Sequence, residues 1–234
     1  MTGIVQNLQH TRERIAAACA AAGRPGQDVT LLAVSKTFGA DAVREAQAAG
    51  QRAFGENYVQ EALDKIAALA DLRSDLEWHL IGPLQSNKTR VVAESFDWVH
   101  SVDRFKIAER LSAQRPDHLP PLQLCLQVNV SGEASKSGVA PEEVAALASQ
   151  VARLPKLRLR GLMSIPEPAA DFESQRAPHR VLHALLRELQ QQGLALDTLS
   201  MGMSADLEAA VAEGATIVRI GTAIFGGRPR PASA

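Results

Sequence analysis

The sequence predicts one α/β domain whose eight strand and helix units close into a (β/α)8 barrel of the TIM type, behind an extra N-terminal helix. Three observations carry this. Short apolar runs rich in branched residues alternate along the chain with longer stretches of three-to-four-residue apolar spacing, as strands joined by crossover helices require. About eight such runs occur, and 234 residues suit a barrel formed as a single domain. A doubly wound sheet is the alternative that the same alternation allows.

In chain order, Ile4, Leu8, Thr11, Ile15, Ala18 and Ala22 form one stripe of the leading helix, which Gly23 and Pro25 terminate. Strands are expected at Val29–Ser35, Arg52–Gly55, Glu77–Ile81, Trp98–Ser101, Leu122–Val130, Leu157–Ser164, Thr198–Met201 and Thr216–Gly221. The helical stretches between them are Ala40–Ala49, Asn57–Leu69, Asn87–Glu94, Arg104–Gln114, Pro141–Leu154, Phe172–Gln192 and Ala205–Glu213. Asp103, Pro141 and Ser204 read as helix starts. Gly50, Gly193 and Gly214 read as helix stops. Residues 1–228 form the barrel, and the Gly- and Pro-rich 229–234 read as a flexible tail with no C-terminal β domain behind it.

Composition narrows the function. Lys and Arg number 25 against 26 Asp and Glu, so a formal charge of −1 provides no global field for nucleic acid or an anionic membrane. Gln6, Asn7, Gln9 and His10 break up the N-terminal apolar residues, and no run approaches the roughly 18–20 apolar residues of a membrane span, so a cytoplasmic chain is expected. Exposed apolar residues are in no large surplus, which favours a monomer. Cys19 and Cys125 stand alone in apolar surroundings and read as buried thiols.

A barrel places its active site at the carboxyl ends of its strands. Strand one ends Val34-Ser35-Lys36-Thr37, which sets Lys36 at the rim of a hydrophobic tube. Partial burial there costs the ammonium its solvation and frees an amine to attack an aldehyde. The structural alternative is a rim lysine reaching water along its stem. Ser200, Gly202, Gly221 and Thr222 follow the last two strands, where barrels often seat a phosphate, though tight turns use the same residues. Arg219 interrupts an apolar strand and needs either a ligand or an acidic neighbour. His79 within strand three and His100 at the end of strand four lack partners at metal-ligand spacing, so no metal is expected. Arg158 and Arg160 flank Leu159 and are expected to face outward. Tyr58 could line the site or pack on the rim.

Six blocks in series carry a resemblance: Ala33-Val34-Ser35-Lys36-Thr37, Phe54-Gly55-Glu56-Asn57-Tyr58-Val59-Gln60-Glu61, the run from Trp78 to Lys88, Gly161-Leu162-Met163, Leu199-Ser200-Met201-Gly202-Met203-Ser204, and the run from Arg219 to Gly226. They span nearly the whole chain and closely resemble the pyridoxal phosphate homeostasis proteins, and more distantly the N-terminal barrel of alanine racemases. The resemblance implies pyridoxal 5′-phosphate (PLP) as cofactor, with Lys36 forming the internal Schiff base. Ser200, Gly221 and Thr222 then hold the phosphate, Arg219 faces the pyridine nitrogen, and Asn57 and His79 lie near the ring. It also implies a carrier or buffer of PLP in vitamin B6 and amino-acid homeostasis, with PLP-dependent apoenzymes as recipients. An arginine at the ring nitrogen leaves a poor electron sink, and the chain ends too soon after strand eight to supply the second base of a racemase. A PLP-dependent racemase or lyase of low activity, and a cofactor-free aldolase using Lys36, are the competing readings.

Overall fold

In the computed structural model, which describes residues 3–132 and 137–227, eight parallel strands close into a barrel in the order β1 to β8, each pairing with its sequence neighbour and β8 with β1. The strands are β1 Thr30–Val34, β2 Ala53–Glu56, β3 Glu77–Leu80, β4 Trp98–Val102, β5 Leu122–Gln127, β6 Leu157–Met163, β7 Thr198–Ser200 and β8 Ile217–Ile220. Helices α2 Ala40–Ala48, α3 Val59–Ala68, α4 Thr89–Ser95, α5 Phe105–Gln114, α6 Val144–Val151, α7 Phe172–Gln191 and α8 Leu207–Ala212 connect them, and α1 Gly3–Ala21 precedes them. The barrel expectation holds and the doubly wound alternative does not. The tail expected at 229–234 lies outside the described residues. Among the described residues no helix is long and apolar enough to cross a membrane.

Side chains alternate along the strands, which gives two separate apolar layers. Leu32, Val34, Ala53, Ile81, Trp98, Cys125, Met163 and Ile217 pack together inside the barrel. Their strand neighbours Leu31, Ala33, Phe54, Trp78, Leu80, Val99, Leu124 and Val218 join the larger core shared with the helices. Each fully buried Leu, Val or Phe in that layer contributes on the order of 1.5–3 kcal/mol. Both cysteines are buried, Cys19 in the outer layer and Cys125 in the inner one.

The structure shifts several expected details. Asp103 does not cap α5, because its carboxylate pairs with Arg104 at 2.8 Å and the helix begins one residue later. Ser204 gives way to Asp206 at the start of α8. The sequence reading passed over Asp171, whose side chain accepts the Ser174 N–H at 2.9 Å and starts α7, and over a four-residue helix α9, Thr222–Phe225, directly after β8. Gly50, Gly193 and Gly214 end their helices with φ of 83°, 91° and 96°, as expected. His100 lies inside β4 rather than at its end.

Arg158 is exposed, but Arg160 does not face outward as expected. Its guanidinium lies 5.0 Å over the Trp98 ring and forms paired bonds of 2.8 and 2.7 Å to Asp197, because a planar cation gains both a stack and a bidentate partner there.

Gly82, just after β3, decides how the β2 loop sits. A Cβ at that position would lie 2.1 Å from the Asn57 carbonyl oxygen, so only glycine lets the Asn57 backbone rest there. Gly82→Ala is therefore expected to cost about 1–3 kcal/mol in urea unfolding and to displace Asn57. Unchanged stability would contradict the close packing.

Candidate functional site

A cavity of about 460 Å³ opens at the carboxyl ends of the strands. Lys36, Asn57, Arg219, Gly221 and Thr222 line it, together with Val34, Ile81, Ile165 and the β7-loop residues Met203 and Ser204. His79 and Ser200, grouped with them by the sequence reading, are not in this lining and are buried beneath it. Tyr58 begins α3 on the rim and stays largely exposed.

Strand alternation explains the gathering. Leu32 and Val34 point inward, and Lys36 has the same parity one step beyond β1. Asn57 continues Ala53 and Gly55 in the same way, and Arg219 continues Ile217. Ser35 and Glu56 take the opposite parity and face α3, where the Ser35 hydroxyl donates to Glu56 at 2.6 Å.

Lys36 is carried on a tight turn closed by the Phe38 N–H donating to the Ser35 carbonyl at 3.1 Å. Thr37 in that turn has φ of 68°, a left-handed conformation that is costly for a β-branched residue, of order 1–3 kcal/mol. Such strain persists only where the surroundings enforce it.

Arg219 is buried and, among the described residues, makes no hydrogen bond to an acid of the kind the structural alternative called for, although Asp206 is near enough to favour its charge. It donates to the Ser200 carbonyl at 2.6 Å, the Ser200 hydroxyl at 3.0 Å and the Ser164 carbonyl at 2.8 Å. Burial pulls its guanidinium down to about 10, which still leaves it charged at neutral pH.

From Arg219 a line of hydrogen bonds runs down through the barrel. The Ser200 hydroxyl is 2.7 Å from His100 Nδ1, His100 Nε2 is 2.9 Å from His79 Nδ1, and His79 Nε2 is 2.7 Å from Glu77. Arginine can only donate and a carboxylate can only accept, so the Ser200 oxygen accepts from Arg219 and His79 Nε2 donates to Glu77. Burial, with the neighbouring His79 and the Arg219 charge, holds His100 well below the usual imidazole range. The hydrogen bond from His79, against the opposing effect of burial, holds the Glu77 carboxyl below its ordinary value.

The reading of Ser200 as a phosphate ligand thus meets a different arrangement, with the hydroxyl committed to Arg219 and His100. The sequence reading missed Ser204 and Met203 as cavity residues. Asp206 holds their loop, accepting the Met203 N–H at 2.7 Å and the His179 Nε2–H at 2.9 Å. Burial opposes its ionisation, but these bonds outweigh that and keep the carboxyl below its ordinary value. The Asn57 side-chain oxygen is buried with no hydrogen-bond partner among the described residues. Among those residues no cluster of three or more His, Cys, Asp or Glu is placed to hold a metal.

The chain matches the family described as "Alanine racemase, N-terminal domain" over residues 6–229. It is 64% identical over 228 residues to the pyridoxal phosphate homeostasis protein of Pseudomonas aeruginosa, covering 97% of each chain. To the protein of that name from Escherichia coli K12 it is 54% identical over 229 residues, covering 97% of this chain and 98% of the other. Among solved structures it is similar to PipY of Synechococcus elongatus with PLP bound, with a TM-score of 0.83 and 44% identity over 95% of this chain and 100% of that one.

The neutral His100 makes stability depend on pH. The unfolded chain takes up a proton near pH 6.5 and the folded chain does not, so the unfolded state binds more protons and stability falls as pH drops below about 6.5. The loss from this residue is up to about 1.4 kcal/mol per pH unit. His100→Gln, whose amide offers both a donor and an acceptor in place of the imidazole, is expected to flatten that slope between about pH 6.5 and 5 in urea titrations. A slope identical to that of the parent protein would show that His100 is not the group responsible.

Proposed function

The chain belongs to the family of the pyridoxal phosphate homeostasis proteins, and on that premise we propose that it binds PLP at the barrel mouth and carries or buffers it as a Schiff base on Lys36, in vitamin B6 and amino-acid homeostasis. One observation carries the reading: a single cavity joins a lysine at the end of β1 to the small and hydroxyl residues that follow β8.

The residues fit the group. When bound, PLP supplies an aldehyde that condenses with a primary amine and a phosphate that needs hydrogen-bond donors. A volume of about 460 Å³ falls within the roughly 300–1,000 Å³ of small-molecule sites. Lys36 is the amine for attachment, while Gly221, Thr222 and Ser204 are the candidates for the phosphate. At Gly221 a Cβ would stand 3.0 Å from the Val34 carbonyl oxygen, so glycine lets this backbone pass close to β1. Asn57 brings its unpartnered oxygen to the ring region.

Arg219 faces the ring nitrogen in this reading, and Ser200 and His79 act from beneath, Ser200 orienting the guanidinium and His79 continuing the line to Glu77. A guanidinium that keeps its protons donates to a ring nitrogen without protonating it, and an unprotonated ring is a weak electron sink. Retention of the cofactor is thereby favoured over proton abstraction from amino acids. The solved PipY structure with PLP bound, at 44% identity, supports the cofactor. PLP-dependent apoenzymes as recipients, a monomeric state and a cytoplasmic location complete the proposal, and a formal charge of −1 gives no pull toward nucleic acid or anionic lipid.

Incubating the purified protein with PLP is expected to produce a visible absorbance band, and borohydride followed by peptide mapping is expected to place the label on Lys36. Lys36→Ala is expected to lose both. The loaded protein should leave the α-protons of L-amino acids unexchanged in heavy water. No band from the parent protein, or equal labelling of Lys36→Ala, would overturn the attachment, and exchange at an enzymatic rate would overturn the carrier role.

A further inference from the structure

We propose that Lys65 and Glu61 are positioning residues for Lys36, forming a clamp on α3 that grips the peptide on either side of it and sets its amine toward the cavity. The proposal rests on the reading of Lys36 as the attachment residue. Neither clamp residue lines the cavity, so their effect passes through the backbone.

The Lys65 Nζ donates at 2.7 Å to the carbonyl of Ser35, the residue before Lys36. The Thr37 N–H, just after Lys36, donates at 2.6 Å to Glu61 Oε1. Lys65 Nζ also donates to that same Glu61 oxygen at 2.6 Å, so a single ion pair ties the two flanks together. Its third bond goes to Glu56 Oε1 at 2.7 Å, an oxygen that the Ser35 hydroxyl reaches as well. All three N–H groups of an ammonium are thus used. Lys65 is 4% exposed and the Glu56 side chain is fully buried, so little water competes for the bonds to Ser35 and Glu56, while the Glu61 carboxylate that holds Thr37 is 30% exposed.

The clamp answers a question raised by the turn itself. Thr37 holds φ of 68°, which a threonine does not adopt without being held there. The two anchors bracket that residue's strained peptide from the outer face of the barrel, while Lys36 takes the inward parity. Released from them, the turn relaxes and the amine loses its aim. Attack on the aldehyde, a condensation that forms one C=N bond and releases one water, then slows, whereas contacts to the phosphate do not change.

The test follows loading of the cofactor-free protein by PLP in stopped-flow absorbance, with hydrogen exchange at the Thr37 amide as a second readout. Glu61→Ala is expected to lower the first-order rate at saturating PLP at least tenfold and to leave the half-saturating concentration within twofold. Exchange at Thr37 should rise in the same variant. Glu61→Gln keeps an acceptor for both donors and is expected to recover most of the rate and the protection. Lys65→Met is expected to load as slowly as Glu61→Ala. Because loss of a buried ammonium can cost the fold, the Glu61 pair decides the outcome. Loading of Glu61→Ala at the parent rate, or equal slowing in Glu61→Ala and Glu61→Gln with Thr37 exchange unchanged, would overturn the clamp. Absence of a band in the parent protein would instead overturn the attachment reading beneath it.

Discussion

Closing a parallel sheet on itself leaves every strand an inner and an outer face, and most of this molecule follows from that division. The inner face must be filled, and apolar side chains from Leu32 to Ile217 do so up to the floor and walls of the cavity. The same two-residue rhythm then runs past the strand ends. It carries Lys36, Asn57 and Arg219 into one cavity although the sequence separates them widely, and it turns Ser35 and Glu56 toward the helix layer. Inner face and outer face thus divide the labour, one presenting the amine and the other holding its backbone.

Polarity inside the barrel is arranged with equal economy. A guanidinium among apolar strands is tolerable because the carbonyls of Ser164 and Ser200 accept its hydrogen bonds, and a line of buried polar groups links it to a carboxylate at the far end of β3. The Trp98 ring, stacked on His79 with centroids 5.2 Å apart and covered by Arg160, packs beside the lower part of the line.

Much of this was legible in the sequence. Strand positions came through because eight runs of branched residues stand apart from helical spacing, and the ends differed from the structure by only a few residues. Lys36, Gly221 and Thr222 were visible as polar or small residues at strand ends, and Arg219 as a cation in an apolar run. What stayed hidden depended on contacts between distant segments. Ser200 and His79 were grouped with the cavity because sequence shows that a residue points inward but not its depth along the barrel axis. The inward turn of Arg160 depends on Trp98, some sixty residues away, and nothing near it in sequence announces that ring. Ser204 needed Asp206 and His179 to hold its loop, a tertiary arrangement with no local signal. Strict period-two counting through Ala53, Gly55 and Asn57 could have placed Asn57 at the mouth.

The fate of the two sulfur atoms has a practical side. Both cysteines of the chain are buried, and burial pushes the Cys125 thiol up to about 12. A thiolate is the form that adds to carbonyl carbon and is oxidised. For the proposed carriage of a reactive aldehyde, buried sulfur nucleophiles stay out of reach, so that cargo and container would not trap one another as thiohemiacetals.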